Sequence, residues 1–175
     1  MSSQISSQSG GLANSIALGD LMKLNRRIAA HWLGNLDTEQ EAYLSYLSVC
    51  LGRFTPSAAE LTEVLVGPKQ QHHNSLPVAK LNRQYLRFAR LAAKDVAAGK
   101  LDMLIRLGVT LEQAEILGNL NNWAVNRLAF GWDGPIILFA SQAFKRGVAL
   151  HLPAAKHHAA AFVATTFAVE NGNRS

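Results

Sequence analysis

The chain of 175 residues has a single cysteine, Cys50, and no apolar run long enough to form a membrane helix. One thiol cannot form an internal disulfide, and it cannot supply the paired cysteines of a structural zinc site. The longest apolar run, residues 159–169, contains two threonines and falls short of the roughly 20 residues that span a bilayer. The first ten residues are rich in serine and glutamine and lack the basic and apolar regions of a secretory signal. We therefore expect a cytoplasmic protein without a membrane span.

Sequence motifs for catalysis or metal binding are also missing. The chain has no phosphate-binding glycine loop, no nucleophile elbow and no pair of carboxylates typical of acid and base catalysis. Its histidine groups, His72 with His73 and His151 with His157 and His158, have no acidic or thiol ligands at metal-binding spacing. We therefore expect no enzyme activity, no cofactor and no metal site.

The composition and the charge distribution are more informative. Hydrophobic residues make up 49% of the chain and charged residues 17%, which is typical of a globular protein. The net charge is +5. Residues 69–106 carry eight cations against two acids, whereas the remaining residues carry nine cations against ten acids. A local basic excess indicates an anionic partner, with nucleic acid as the first candidate and an acidic protein surface as the second.

Apolar residues recur every three or four positions through most of the chain, which predicts helices. The first helix should cover residues 14–33 and end at Gly34. Thr38 and Glu41 have the spacing of a capping box, which predicts a second helix that continues until Gly52.

Further cap signals follow along the chain. Thr55 is predicted to cap a third helix. Gly108 should end a short helix, and Thr110 with Gln113 forms a second capping box that opens the next helix. Residues 135–144 are a short apolar run that fits a buried strand or a helix. The predicted fold class is all-α, a compact bundle of about seven helices.

An internal repeat divides the chain. The tetrapeptide Lys-Leu-Asn-Arg occurs at residues 23–26 and again at residues 80–83. The other matched pairs follow at offsets between 57 and 55: Leu-Gly at 51–52 and 107–108, and Thr-x-x-x-Ala-Glu at 55–60 and 110–115. A genuine repeat predicts two units packed as a pseudo-twofold pair. The alternative is that capped amphipathic helices resemble one another by the same local rules.

The repeat suggests a domain organisation in five parts. The predicted segments are a disordered tail at 1–11, a first helical unit at 12–66, a linker at 67–78, a second helical unit at 79–130, and a C-terminal helical segment at 131–170 that completes the core.

The second unit contains a candidate site for an anionic partner. On a helical wheel, Arg83, Arg87, Arg90 and Lys94 lie within about 60° of one another. Apolar side chains lie on the opposite face: Leu81, Tyr85, Phe88, Ala92 and Val96. We predict that the four cations contact DNA phosphates, because cations along one helix face can follow a nucleic-acid backbone. The alternative is an ordinary solvated helix face.

The two short helices on either side of Gly108 have the outline of a helix-turn-helix. The second of them is a poor recognition helix, because Glu112 and Glu115 would repel phosphates and only Gln113 and Asn119 could read base edges. Any DNA contact is therefore expected from the basic helix, with sequence specificity supplied by a partner subunit.

The second unit resembles the flagellar transcriptional regulator FlhD family. The matching pattern is Asn82-x-x-Tyr85-Leu86-x-x-Ala89, Asp95, Arg106-Leu107-Gly108-Val109, Glu112-x-Ala114-x-x-Leu117-x-x-Leu120 and Leu128-Ala129. It covers about 50 residues, and between Ala89 and Arg106 this chain is about three residues longer than the family pattern. The resemblance implies an all-helical, dimeric protein without a cofactor. It also implies an FlhC-like subunit as a partner in a bacterial complex that binds promoter DNA and activates transcription.

The sequence thus predicts an FlhD-like transcriptional regulator that binds DNA in a multisubunit complex. If the repeat is genuine, one chain carries the pair of units that FlhD brings as two chains, whereas otherwise a homodimer is expected. The alternative function is a protein-interaction module or adaptor that does not bind DNA itself.

Overall fold

Helices account for most of the chain in a computed structural model, which describes residues 6–68, 74–96 and 98–149. The elements in order are α1 (Ser6–Leu33), α2 (Thr38–Leu44), β1 (Gly52–Phe54), α3 (Ala58–Val66), α4 (Leu76–Val96), α5 (Asp102–Leu107), α6 (Leu111–Gly118), α7 (Asn122–Gly131), β2 (Ile137–Phe139) and α8 (Ser141–Ala149). The two strands pair antiparallel with each other. The all-α prediction is confirmed, with one small sheet added to the helices.

Local cap signals place several helix boundaries correctly. Gly34 follows α1 with φ 78°, and Gly108 ends α5 in the left-handed region with φ 67°, a conformation that glycine adopts without steric cost. The capping box that opens α6 is formed as predicted. The Thr110 hydroxyl accepts from the Gln113 N–H at 3.2 Å, and the Gln113 carbonyl oxygen accepts from the Thr110 N–H at 2.8 Å.

The second helix begins at Thr38 as predicted, but its capping box and its end differ from the prediction. Its N-cap is Asp37, paired with Gln40 in a capping box, rather than Thr38 with Glu41. Glu41 instead forms an ion pair with Arg26 of α1, with 2.9 Å between nitrogen and oxygen. The helix stops at Leu44 and does not reach Gly52, because the chain turns and then enters β1.

The predicted N-cap of the third helix, Thr55, lies two residues before the observed one. Ser57 caps α3 together with Glu60. Thr55 directs its N–H and its hydroxyl to the Ile136 carbonyl at 3.0 and 3.1 Å, so its hydrogen bonds belong to the sheet. The ambiguous run at 135–144 contains β2 and the start of α8.

The core is built around α4, which packs against α1, α5, α6 and α7. Tyr85 lies at its centre. The ring stacks on Phe54 of β1 with 5.3 Å between centroids, and the hydroxyl donates to the Leu107 carbonyl at 2.9 Å. A strand residue, the long helix and the end of α5 thus meet at one aromatic side chain.

Two buried asparagines, Asn25 and Asn82, tie the long helices to the strands. Asn25 donates to the Val49 carbonyl at 2.8 Å and accepts from the Leu51 N–H at 2.7 Å, just before β1. Asn82 accepts from the Ile136 N–H at 2.9 Å, just before β2. It also donates to the carbonyls of Ala129 at 3.3 Å and Gly134 at 3.0 Å.

The repeated Lys-Leu-Asn-Arg tetrapeptide therefore places equivalent asparagines, but the later matched pairs are wrong. Gly52 lies in β1, whereas Gly108 ends a helix. Thr110 caps α6, whereas its matched residue Thr55 caps no helix, because Ser57 caps α3. Local cap chemistry produced those similarities without a common position in the fold.

Parts of the predicted organisation lie outside the described residues. These are residues 1–5 of the tail, residues 69–73 of the linker, and residues 150–170 of the C-terminal segment. The prediction of a disordered tail is wrong for residues 6–11, which belong to α1. The second long helix begins at Leu76.

Substitution of Asn82 should test its structural role. We expect Asn82→Ala to lower the free energy of unfolding by about 3 kcal/mol, because the Ile136 N–H and two carbonyls lose a buried partner. Asn126→Ala on the exposed face of α7 should change it by less than about 0.5 kcal/mol. Urea unfolding followed by circular dichroism measures both, and equal effects would contradict the assignment.

Candidate nucleic-acid interface

The candidate interface lies on α4, whose two faces differ sharply. The buried face consists largely of alanine and leucine with Tyr85 and Asn82, and packs on α6 and α7. Phe88 and Val96, which the wheel placed on this face, are only partly buried. The small alanine side chains let neighbouring helices approach closely, and the opposite side of α4 stays at the surface.

Four cations line the outward side of α4, and we call Lys80, Arg83, Arg87 and Lys94 the α4 basic face. Lys80, Arg87 and Lys94 are exposed and Arg83 is half-buried. None of the four has a hydrogen bond or ion pair with another residue in the described parts of the chain. At 1.5 Å per residue, the face extends over about 21 Å.

Lys80 was not among the predicted contacts, although the sequence contains its signal. The same helical wheel places it about 60° from Arg83. Helical periodicity is sufficient to find Lys80, but the predicted set contains only the four cations that lie within about 60° of one another.

Arg90 is the predicted contact that the structure places differently. Its Nη1 donates to the Leu120 carbonyl at 3.2 Å and to Asn122 Oδ1 at 3.1 Å. Its Nε is buried and has no hydrogen-bond partner within the described residues. The guanidinium therefore joins α4 to the junction of α6 and α7, while the other three predicted cations remain at the surface.

Helix α6, the second helix of the helix-turn-helix outline, has two side chains that could contact base edges, and one of them is held within the fold. Gln113 uses its carbonyl oxygen in the α6 cap and donates through Nε2 to the Pro56 carbonyl at 2.7 Å. Asn119 is exposed and donates to the Glu115 carbonyl at 2.9 Å. Glu112 and Glu115 are exposed on the same helix, so α6 offers phosphates more repulsion than attraction.

Two further arginines act inside the fold. Arg106 donates to the Ser48 carbonyl at 2.6 Å. Arg127 donates from Nε to the Val64 carbonyl at 2.8 Å and from Nη2 to the Gly67 carbonyl, so it caps the end of α3. Sequence reasoning missed the role of Arg127, because its partners lie about 60 positions away in the chain.

The titratable side chains in the core are neutral. Burial raises the pKa of the Cys50 thiol to about 12, and burial also raises the pKa of Tyr85 well above its ordinary value. Neither group has the lowered pKa of an activated nucleophile. Among the residues that the structure describes, no three metal-ligating side chains form a cluster. The histidines at 72, 73, 151, 157 and 158 lie outside them.

Comparison with family models, curated proteins and solved structures finds no match for this chain. No helix in the described residues combines the length and the hydropathy needed to cross a membrane.

The different roles of Arg90 and Arg87 can be separated by stability. Arg90→Met should lower the free energy of unfolding by about 1 to 2 kcal/mol, because the Leu120 carbonyl loses its charged donor. Arg87→Met is the matched control, and we expect a change below about 0.5 kcal/mol, because Arg87 is exposed and has no partner among the described residues. Urea unfolding measures both values. A neutral Arg90→Met would show that the bonds to the α6–α7 junction contribute nothing.

Cys50 should be protected from thiol reagents while the protein is folded. We expect no reaction with a chromogenic aromatic disulfide at pH 8 in buffer, because the thiol is buried and its pKa is raised to about 12. One thiol per chain should react in urea. The absorbance of the released thiolate measures the reaction, and rapid stoichiometric reaction of the native protein would contradict the burial.

Proposed function

We propose that this protein is an FlhD-like transcriptional regulator that contacts DNA through the α4 basic face and acts with an FlhC-like partner subunit. The observation that carries the proposal is the row of cations on one exposed helix side, none of them neutralised by a described residue. Of the four cations predicted from the sequence, Arg83, Arg87 and Lys94 are the proposed DNA contacts. Arg90 instead binds the junction of α6 and α7.

The physical basis is the release of counterions from DNA. A cation that is already paired with a carboxylate gains little by approaching a phosphate, whereas an unpaired cation replaces a condensed counterion. The α4 basic face extends over about 21 Å, which matches the rise of about six base pairs. Four contacts of this kind give sequence-independent attraction and fix the orientation of the protein on the duplex.

The resemblance to FlhD supports the regulatory part of the proposal. Many of the residues that carry it are buried in α4 to α7, among them Tyr85, Leu107 and Leu128. Gly108 has the left-handed conformation that ends α5. Because α6 offers few side chains for reading bases, sequence specificity is assigned to the partner subunit, which also fits a multisubunit activator.

A second candidate function is a protein-interaction module that does not bind DNA. It is favoured by large apolar side chains at the surface, such as Ile105 at 75% exposure, Leu111 at 58% and Trp123 at 63%. Exposed aromatic and aliphatic side chains are typical anchors of protein interfaces. The affinity of an apolar interface would depend little on ionic strength, whereas the affinity of phosphate contacts would fall as the salt concentration rises.

Binding to a random duplex of 20 base pairs, followed by fluorescence anisotropy, tests the proposal. We expect affinity to fall with salt at a logarithmic slope of about −3 to −4, because four phosphates are contacted. The double substitution Arg83→Glu with Arg87→Glu should weaken binding by more than about tenfold at low salt.

The matched control is Lys145→Glu with Arg146→Glu on α8, which makes the same change in net charge at two other exposed cations. Circular dichroism should show both variants folded. Equal losses in the two variants would indicate a nonspecific effect of net charge. Salt-insensitive binding or no binding at low salt would favour the protein-interaction module.

A further inference from the structure

The two asparagine anchors belong to a larger internal symmetry. The pairing of β1 with β2 joins Gly52 to Phe139, Arg53 to Leu138 and Phe54 to Ile137. This register is symmetric about the central pair of Arg53 and Leu138. The two flanking hydrogen bonds are related by the same symmetry. The Thr55 N–H donates to the Ile136 carbonyl at 3.0 Å, and the Ala140 N–H donates to the Leu51 carbonyl at 3.1 Å. A rotation that exchanges residues 51–55 with residues 136–140 thus preserves the ladder.

Aromatic packing follows the same exchange. Phe54 of β1 stacks on Tyr85 of α4 with 5.3 Å between centroids. Its equivalent, Phe139 of β2, stacks on Trp32 of α1 with 5.6 Å between centroids. We take α1 to α3 as the first unit and α4 to α8 as the second. Each strand then places its phenylalanine against the long helix of the opposite unit.

The helices that follow the two strands also pack on the opposite unit. Helix α3, which follows β1, packs on α6 and α7 of the second unit. Helix α8, which follows β2, packs on α2 of the first unit. Together with the asparagines, these contacts define two interlocked units related by a pseudo-twofold axis through the sheet. The chain has the organisation of a dimer within one polypeptide.

The symmetry assigns a counterpart to the α4 basic face. Because Asn25 corresponds to Asn82, Lys23 corresponds to Lys80, Arg26 to Arg83, and Ala30 to Arg87. Lys23 forms an ion pair with Asp20 at 3.2 Å, and Arg26 forms one with Glu41 at 2.9 Å. Two cations on the equivalent side of α1 are therefore paired with carboxylates, and the third position has no cation. Arg27 is one exposed cation on this side without a partner among the described residues.

We infer that this pseudo-dimer binds DNA through one of its two equivalent faces only, as one chain on an asymmetric site. The ligand is a run of duplex phosphates about six base pairs long, without the twofold symmetry of an operator bound by a symmetric dimer. The carboxylates of Asp20 and Glu41 repel the phosphate backbone from the α1 face. This inference rests on the proposed function of α4.

Substitutions at symmetry-equivalent positions test the inference. Arg83→Ala should weaken binding to a duplex of 12 base pairs by about five- to tenfold at 0.1 M salt and reduce the salt slope by about one unit, because one phosphate contact is lost. Arg26→Ala should leave the affinity and the slope unchanged. Sedimentation equilibrium with the duplex in excess should give one duplex per chain, because a chain with two binding faces would take two.

The possible outcomes are distinct. Equal losses for Arg83→Ala and Arg26→Ala would overturn the one-sided arrangement while leaving DNA binding intact. Two duplexes bound per chain would also overturn it. No binding by the unaltered protein at low salt would overturn the proposed function and this inference with it.

A further variant tests the role assigned to the carboxylates. Asp20→Asn with Glu41→Gln releases Lys23 and Arg26 without adding a cation, and it raises the net charge by two. On a duplex of 40 base pairs, we expect this variant to bind several-fold more tightly, and Arg26→Ala in the same background to reverse the gain. Unchanged affinity in the double variant would show that the carboxylates do not exclude DNA from the α1 face.

Discussion

The buried side-chain amide of asparagine is the constraint on which this fold depends. An amide removed from water must find partners for both its donor and its acceptor. Asn25 and Asn82 find them in the backbone just before each strand, so the direction of a long helix fixes where a strand begins. Once both strands are placed, their pairing brings Phe54 and Phe139 onto opposite helices. Two polar side chains thus determine how the apolar surfaces meet.

The features predicted correctly from sequence are those that depend on neighbouring residues. Gly34, Gly108 and the Thr110 capping box follow local backbone chemistry, and they lie where the sequence placed them. The errors arise where a side chain has a distant partner. Glu41 pairs with Arg26 rather than capping α2, and Thr55 bonds Ile136 rather than capping α3. No local rule reports such competition.

The same distinction separates the cations of the candidate site. Helical periodicity was enough to place Arg83, Arg87, Arg90 and Lys94 on one side of α4. It could not distinguish Arg90, whose partners at Leu120 and Asn122 lie about 30 positions further along. Periodicity likewise could not show that Arg26 on α1 is paired, since its partner Glu41 lies on a different helix. Charge in a sequence becomes binding capacity only where the fold leaves it unpaired.

The interlocked sheet also has a consequence for how the chain folds. β1 pairs with a strand 85 residues further along, and α3 packs on two helices that begin about 50 and about 60 residues after it. Contacts of such long sequence separation form slowly, because a large loop must close first. During synthesis, the first unit would leave the ribosome with β1, α3 and Trp32 still uncovered. We expect folding to be largely post-translational, with an interval in which an unpaired strand is open to association with other chains.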